Sequence, residues 1–500
     1  MTRRFARTVS WFVLLTSLWL SGLPTAVADA PETWQVIYLS GQRVGYGRSS
    51  STKEVRKDAT VFVTNTEQHL TIRRFGQQLK IDMTSRYEEA ESGQLLGYTT
   101  EMKNPPAQST KSVAKLMGNT LQIETTVNGV PKTQTLELDP TVKSPAYQDR
   151  QLQEQPLKAG ETRAYKMFVP EFAKVADVRI VADDLRLTKL HDNTEKKLLK
   201  AKLTHSLLPG VETRMFLDQT GEVLKSETDQ LGLVLVTYSV PRAVAIQAIV
   251  GAELDVAVGT LVRVETPTPT QNVMKSKRAV FRVTTPGQDP SQLLKDSETQ
   301  TVKKVSDNVV EVTLVAALIP KMLVSVGSKQ KQYLGETPYL QAKDVRVQEH
   351  ARKAAAGSED PGTIAIRMER YVFEQIKKKN FSTALASAAE VAERMEGDCT
   401  EHACLLAAML RAQQIPSRVA VGLVYVEKFS AFGGHMWVEA WLDDKWVAVD
   451  GTLGMGGIGP SHLKLADSDL SDPGQAPVVA FLPLMNLLNQ VKIEVVTVER

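Results

Sequence analysis

Cysteine is almost missing from this chain: 500 residues contain two, Cys399 and Cys404. They lie five apart in a stretch that reads as helix, which sets the side chains about 140° apart around the axis and the Cα atoms on the order of 8 Å apart, beyond disulfide reach. A disulfide framework is excluded, so each thiol is either buried or used. Charge of one sign is lacking too. The formal charge is +3, but Arg3, Arg4 and Arg7 stand in a stretch, 1–28, without an acidic residue, and beyond it 57 basic residues face 57 acidic ones. Without a net basic field nothing draws in a phosphate backbone, which argues against a nucleic-acid partner. Histidine is scarce, at seven residues, so the candidates for a general base are few.

Long apolar runs are confined to the N-terminus. Val9 to Leu23 is almost wholly apolar, follows the three arginines and precedes Ala26-Val27-Ala28, the pattern of a cleaved secretory signal over 1–28. At about 1.5 Å per residue, such a run falls short of a ~30 Å hydrocarbon core. Later apolar stretches, Leu231–Val262 and Val309–Val326, are interrupted by proline and charge. The reading is a secreted or periplasmic protein with no integral membrane segment after signal cleavage. The remainder is globular: 42% apolar and 23% charged residues exclude disorder, collagen and coiled coil and supply a core for two or three domains.

From 29 to 264 apolar residues recur with period two, as at Leu79, Ile81 and Met83 or Leu121, Ile123 and Val127, between turn pairs such as Ser92-Gly93, Asn128-Gly129 and Thr220-Gly221. An antiparallel β-rich domain is expected. A spacer or docking domain fits it better than a curved sheet similar to periplasmic lipoprotein carriers, and it is the expected surface for an envelope protein partner. Thr266-Pro267-Thr268-Pro269-Thr270 marks a linker, opening a segment, 265–343, with further strands at Ala279–Val283 and Val309–Val315. From 344 to 470 the period becomes helical: Ile364, Met368, Tyr371, Val372 and Ile376 share a face that ends near Asn380, and a second helix is predicted from about Ser382 to Met395. A short helix over Ala480–Asn489 and a strand with Ile493, Val495 and Val498 occupy the C-terminal 471–500 and could return to the preceding β layer.

The chemistry concentrates in 397–452. Asp398 is a good N-cap and Glu401 can reach back to it, so Cys399 is predicted at the first position of a helix whose run Ala403–Leu410 is apolar on every side. Orphan amides and the helix dipole favour a thiolate there; Cys404, mid-helix among apolar neighbours, is expected only to pack. His435 precedes a predicted hairpin, Met436–Leu442, Asp443-Asp444, Lys445–Asp450. With Leu442 and Lys445 flanking the turn, Trp441 faces Trp446 and His435 lies diagonal to Asp450 on one face, while Met436, Val438, Ala440, Val447 and Val449 fill the other. A carboxylate there can hold an imidazole's tautomer. Cys399, His435 and Asp450 are thus the parts of a cysteine acyl-transfer site, with an amide at the helix start as oxyanion donor. His402, one turn beyond Cys399, is a weaker alternative base or a rim residue; Trp437 and Glu439 share the His435 face and are possible substrate contacts. Asp467, Asp469 and Asp472 lack the glycine and terminal glutamate of a calcium loop, and no metal or cofactor is expected.

Four ordered motifs, Gly397-Asp398-Cys399, Arg411-Ala412-Gln413-Gln414-Ile415-Pro416-Ser417-Arg418, His435-Met436-Trp437 and Asp450-Gly451-Thr452, resemble the transglutaminase-like family over about Pro361 to Leu453. The resemblance implies a papain-like α+β domain with Cys399, His435 and Asp450 as its triad. Gln414 replaces the usual glycine and Gly451 the usual proline, neither within the triad. The fold class expected is α+β, a β-rich domain followed by a papain-like one. The function expected is acyl transfer on peptide or protein amides, with hydrolysis favoured because no residue specifies an amine pocket that excludes water. The alternative is a non-catalytic periplasmic binding or scaffold protein with a relic domain.

Overall fold

The computed structural model describes residues 32–500 except 57–58, 105–107, 128, 209, 231–232, 250–254, 256–259, 266–272, 321–329, 382–384, 472–486 and 488–490. The expected signal segment, the Pro/Thr linker, Asp472 and all but Leu487 of the expected helix Ala480–Asn489 lie outside the described residues.

The N-terminal strands form one antiparallel sheet of 14. Eight of them, Glu32–Leu39 to Val130–Glu137, run as a meander, and six more, Thr162–Val169 to Leu233–Ser239, run as a second; the two join where Ile37 faces Thr237. Period-two patterning explains one apolar face: Leu121, Ile123 and Val127 are buried, whereas of Leu79, Ile81 and Met83 only Leu79 is. The strands Ala59–Arg74 and Gln77–Ala90 form a long hairpin whose tip is Phe75-Gly76.

A second sheet, of nine strands, carries the candidate site. Its strands are β1 (Val262–Glu265), β2 (Arg278–Thr284), β3 (Gln300–Ser306), β4 (Val309–Val315), β5 (Ser417–Val426), β6 (Ala431–Leu442), β7 (Lys445–Val449), β8 (His462–Ser468) and β9 (Lys492–Glu499). The order is β3-β4-β2-β9-β1-β6-β5-β8, with β7 paired to β6. The C-terminal β9 lies antiparallel to β2 and parallel to β1, so the strands before the helices and those after them share one sheet.

Helices α1 (Val345–Ala355), α2 (Pro361–Gln375), α3 (Ala388–Arg394) and α4 (Cys399–Ala412) pack together, with α4 against β5 and β6. Every residue of α4 from Thr400 to Arg411 is buried, which its all-round apolar run demands. The helix predicted from about Ser382 to Met395 is shorter. It starts at Ala388 because Ser387 and Glu390 form a reciprocal capping box, and it stops where Met395 turns left-handed. The preceding helix likewise ends at Gln375, before Asn380.

Arg411 shows what the second motif does. Its buried guanidinium donates to the Ser417 carbonyl at 2.7 and 3.1 Å and to the Gly335 carbonyl at 2.5 Å, tying the end of α4 to the start of β5. Gln414 takes φ of 60°, while the Gln414 and Ile415 amides donate to Arg411 and Leu410, a Schellman closure in which the missing glycine leaves a strained glutamine.

Candidate active site

The start of α4 is built by side chains that satisfy its orphan amides. Asp398 accepts from the Thr400 amide at 2.8 Å, and the Asp398 amide donates to Glu401 Oε2 at 2.8 Å. Glu401 also accepts from the Ala386 amide at 2.8 Å. Gly397 permits this closure: its φ is 150°, and a Cβ there would stand 2.3 Å from Glu401 Cβ. Burial and the charge of Asp398 push the Glu401 carboxyl well above the usual carboxylate range. Burial is the largest influence on Asp398 and opposes its ionisation, but the nearby Arg74 charge and the hydrogen bonds from Glu401 and Thr400 together outweigh it and hold that carboxyl low. Cys399 is therefore fixed at the first helical position, half-buried, while Cys404 is fully buried and its thiol is pushed well up by burial.

The hairpin forms in the predicted register. Asp443 and Asp444, at φ of 53° and 54°, make a two-residue left-handed turn that sets Trp441 against Trp446 and Val438 against Val449. His435 Nε2 donates to Asp450 Oδ2 at 2.8 Å, which leaves Nδ1 as the free ring nitrogen, and Cys399 lies close enough to act electrostatically on the ring. The structure thus places Cys399 near the hydrogen-bonded pair of His435 and Asp450. Burial works against a charged His435, yet Asp450, by charge and hydrogen bond, and then Cys399 push it up to about 10. Burial also disfavours the Asp450 anion, but His435 and a further histidine, His462, hold its carboxyl far below the usual range.

His462 on β8 donates from Nε2 to the same Asp450 oxygen at 3.0 Å, while its Nδ1 lies 3.2 Å from Ser461 Oγ, which can donate to it. Burial pushes the His462 pKa down, so this ring is the neutral partner. The Thr452 amide donates to Asp450 Oδ1 at 2.8 Å. Among the described residues the ligating atoms of His435, Asp450 and His462 form the one grouping placed to hold a metal ion, all within 4.8 Å of one another; the spacings within it are those of hydrogen bonds.

The remaining sequence candidates stand behind these groups. His402 is fully buried, with Nδ1 donating to the Asp398 carbonyl at 2.5 Å and Nε2 accepting from Lys379 Nζ at 3.1 Å; burial and then the Lys379 charge push it down to about 4. Both ring nitrogens are committed, which leaves none to act as a base. Trp437 stacks under His435 with ring centroids 6.1 Å apart and meets His462 edge-on at 5.2 Å. Glu439 is buried and accepts from Arg418 and from Lys464, each at 2.8 Å, and both cations also hold Asp467. These three side chains support the site from inside the fold.

Sequence reasoning missed His462, Lys379 and Arg74. His462 sits in an ordinary alternating strand, Lys379 in an irregular segment, and Arg74 in the hairpin of the other domain, so no local pattern marks any of them. A half-buried sulfur, a charged imidazole and a buried anion in sequence are the elements of nucleophilic attack on a carbonyl with proton return to the leaving group.

Residues 348–451 match the family model of the transglutaminase-like superfamily. No protein of curated function matches the chain. Among solved structures it is similar to a candidate cysteine protease from Cytophaga hutchinsonii, at 16% identity over 44% of this chain and 82% of that one, TM-score 0.30. It is also similar to a beta-barrel-like protein of a domain of unknown function from Brucella abortus, at 12% identity over 42% and 95%, TM-score 0.30. A third likeness is to the periplasmic domain of TgpA from Pseudomonas aeruginosa bound to ethylmercury, at 15% identity over 36% and 91%, TM-score 0.24.

Proposed function

We propose that this protein, whose residues 348–451 are a transglutaminase-like domain, is an exported cysteine enzyme that cleaves peptide or protein amides. The observation that carries the proposal is a buried His435–Asp450 hydrogen-bonded pair beside Cys399, of which only the sulfur-bearing residue is partly exposed.

In the proposed cycle the Cys399 thiolate attacks the amide carbon. The carbonyl π pair moves to oxygen, where the Cys399 amide at the start of α4 and the helix dipole behind it stabilise the charge. Collapse of the adduct breaks the C–N bond, and His435 Nδ1 gives its proton to the departing amine, leaving a thioester on Cys399. Water then attacks the thioester, His435 takes the water's proton, and the acid product leaves as the sulfur regains its charge. Asp450 keeps the imidazole oriented and offsets its charge throughout. Hydrolysis is preferred to cross-linking because nothing in the sequence specifies a second pocket that selects an amine over water.

Alkylation of the full-length protein with iodoacetamide at pH 7, followed by mass mapping, should label Cys399 and spare Cys404. The Cys399→Ala variant should fold and lose amide cleavage; wild-type turnover in that variant, or equal inertness of the two thiols, overturns the assignment. Among the described residues no helix is long and apolar enough to cross a membrane. Export rests on the arginines and apolar run of residues 1–28, and N-terminal sequencing of the mature protein should begin at Asp29; a mature chain that keeps Arg3 and Arg4 would refute it.

A further inference from the structure

The long hairpin of the N-terminal sheet ends beside the nucleophile helix. Its tip is a two-residue left-handed turn, Phe75 at φ of 47° and Gly76 at 81°. A phenylalanine in that conformation is strained, and the strain is held from outside the hairpin: Asp255 accepts from the Phe75 amide at 3.0 Å and the Gly76 amide at 2.7 Å. The tip then meets the site at three points. Arg74 Nη2 donates to Asp398 Oδ2 at 2.6 Å. The Gln77 amide bridges a strand-like gap, donating to the Lys379 carbonyl at 2.9 Å and accepting from the Phe381 amide at 2.7 Å. The Phe75 and Phe381 rings lie 4.7 Å apart.

A simple fastening between domains would pair exposed side chains. Here the partner of Arg74 is the N-cap carboxylate itself, 2% exposed, whose other oxygen caps the Thr400 amide. Removing the guanidinium would leave a buried anion uncompensated one residue from the sulfur. Gln77 moreover holds the backbone of Lys379, whose ammonium donates to His402 Nε2.

We infer that this hairpin tip is a built part of the active site and that Arg74 is a positioning residue, fixing the N-cap of α4 and keeping a permanent positive charge beside Cys399. The inference rests on Cys399 being the nucleophile. Among the described residues, the charged and titratable groups around the start of α4 are Arg74 from the hairpin, Lys379 from the segment before α3, Asp398, Glu401 and His402 at the helix start, and His435 and Asp450 from the β6–β7 hairpin. Among these groups Arg74 comes from the N-terminal domain, which makes that domain a contributor to the chemistry.

The test is the rate of Cys399 alkylation by iodoacetamide against pH, on the full-length protein, with Cys404 labelling as the reading of unfolding. Arg74→Gln keeps a donor and removes the charge. It should slow alkylation at pH 7 about tenfold and move the profile to higher pH by about one unit, the size expected of one neighbouring charge. Arg74→Lys should recover most of the rate. An unchanged rate and profile in Arg74→Gln would reduce Arg74 to a fastening, and faster alkylation would make the tip a plug; either overturns the inference. If Arg74→Gln exposes Cys404, Arg74→Lys decides alone: a folded protein at a third or more of the wild-type rate supports the role of charge, and a tenfold loss overturns it. Inertness of wild-type Cys399 would instead defeat the enzymatic reading itself, a separate result.

Discussion

His462 Nε2 stands 3.0 Å from the Asp450 oxygen that also accepts the hydrogen bond of His435, so one carboxylate oxygen serves two imidazoles. The second ring is neutral and buried, which makes it a fixed donor that turns Asp450 toward His435. A hydrogen bond to a charged group is worth about 1.5 to 3 kcal/mol, so His462→Ala should lower kcat about tenfold or more with little change in KM. His462→Gln, which restores a donor, should recover part of it. Steady-state kinetics on a peptide amide decide the matter; an unaltered kcat in His462→Ala would leave His462 a packing residue.

The pH dependence of the reaction follows from Asp450. Because His435 is pushed up to about 10, its imidazolium survives across the neutral range and the alkaline fall in kcat/KM should come near that value. A histidine whose folded pKa is raised also contributes stability that is complete below the unfolded value and fades as pH climbs through 10. In Asp450→Asn the burial that opposes the charge is no longer outweighed, so the alkaline limb should move down by several units. The rate should drop by about 10³ to 10⁴. A pH–rate profile with its alkaline limb still in place would show that Asp450 does not govern His435.

What the sequence disclosed was local. Asp398 and Glu401 announce a helix start within four residues, and the alternation around Asp443-Asp444 fixes a register that puts His435 and Asp450 on one face, so both halves of the candidate site were legible. The absent glycine at Gln414 foretold a strained helix end. Contacts of long sequence separation left no such trace. Arg74 reaches Asp398 across 324 residues, and His462 approaches Asp450 only because β8 pairs with β5 rather than with β7. The start of α3 depended on tertiary context too, since the Ala388 amide donates to the Tyr339 carbonyl. Ile81 and Met83 alternate as a strand should, yet stay half-buried, because period two sets a face without deciding whether anything covers it.

Glu369, on α2, is a buried acid beneath the site that the proposed chemistry does not use. Its oxygens accept from the Gly456 amide at 2.7 Å and the Gly457 amide at 3.1 Å, pinning the loop after Asp450. Burial, partly offset by those amides and reinforced by the Asp450 charge, raises its pKa to about 7. A carboxyl that holds its proton more tightly when folded contributes stability that is complete below its unfolded pKa and is lost as pH rises through 7. The difference between the ordinary value and 7 corresponds to on the order of 3 kcal/mol lost between about pH 4 and pH 8. Glu369→Gln removes this titration but leaves one glycine amide facing an NH2 group, at a cost of about 1 to 3 kcal/mol. Urea unfolding of the two proteins should therefore find the variant less stable at pH 5 and level with or above the wild type at pH 8. Parallel stability curves across that interval would mean that Glu369 is already ionised at pH 5 and that the two amides outweigh its burial.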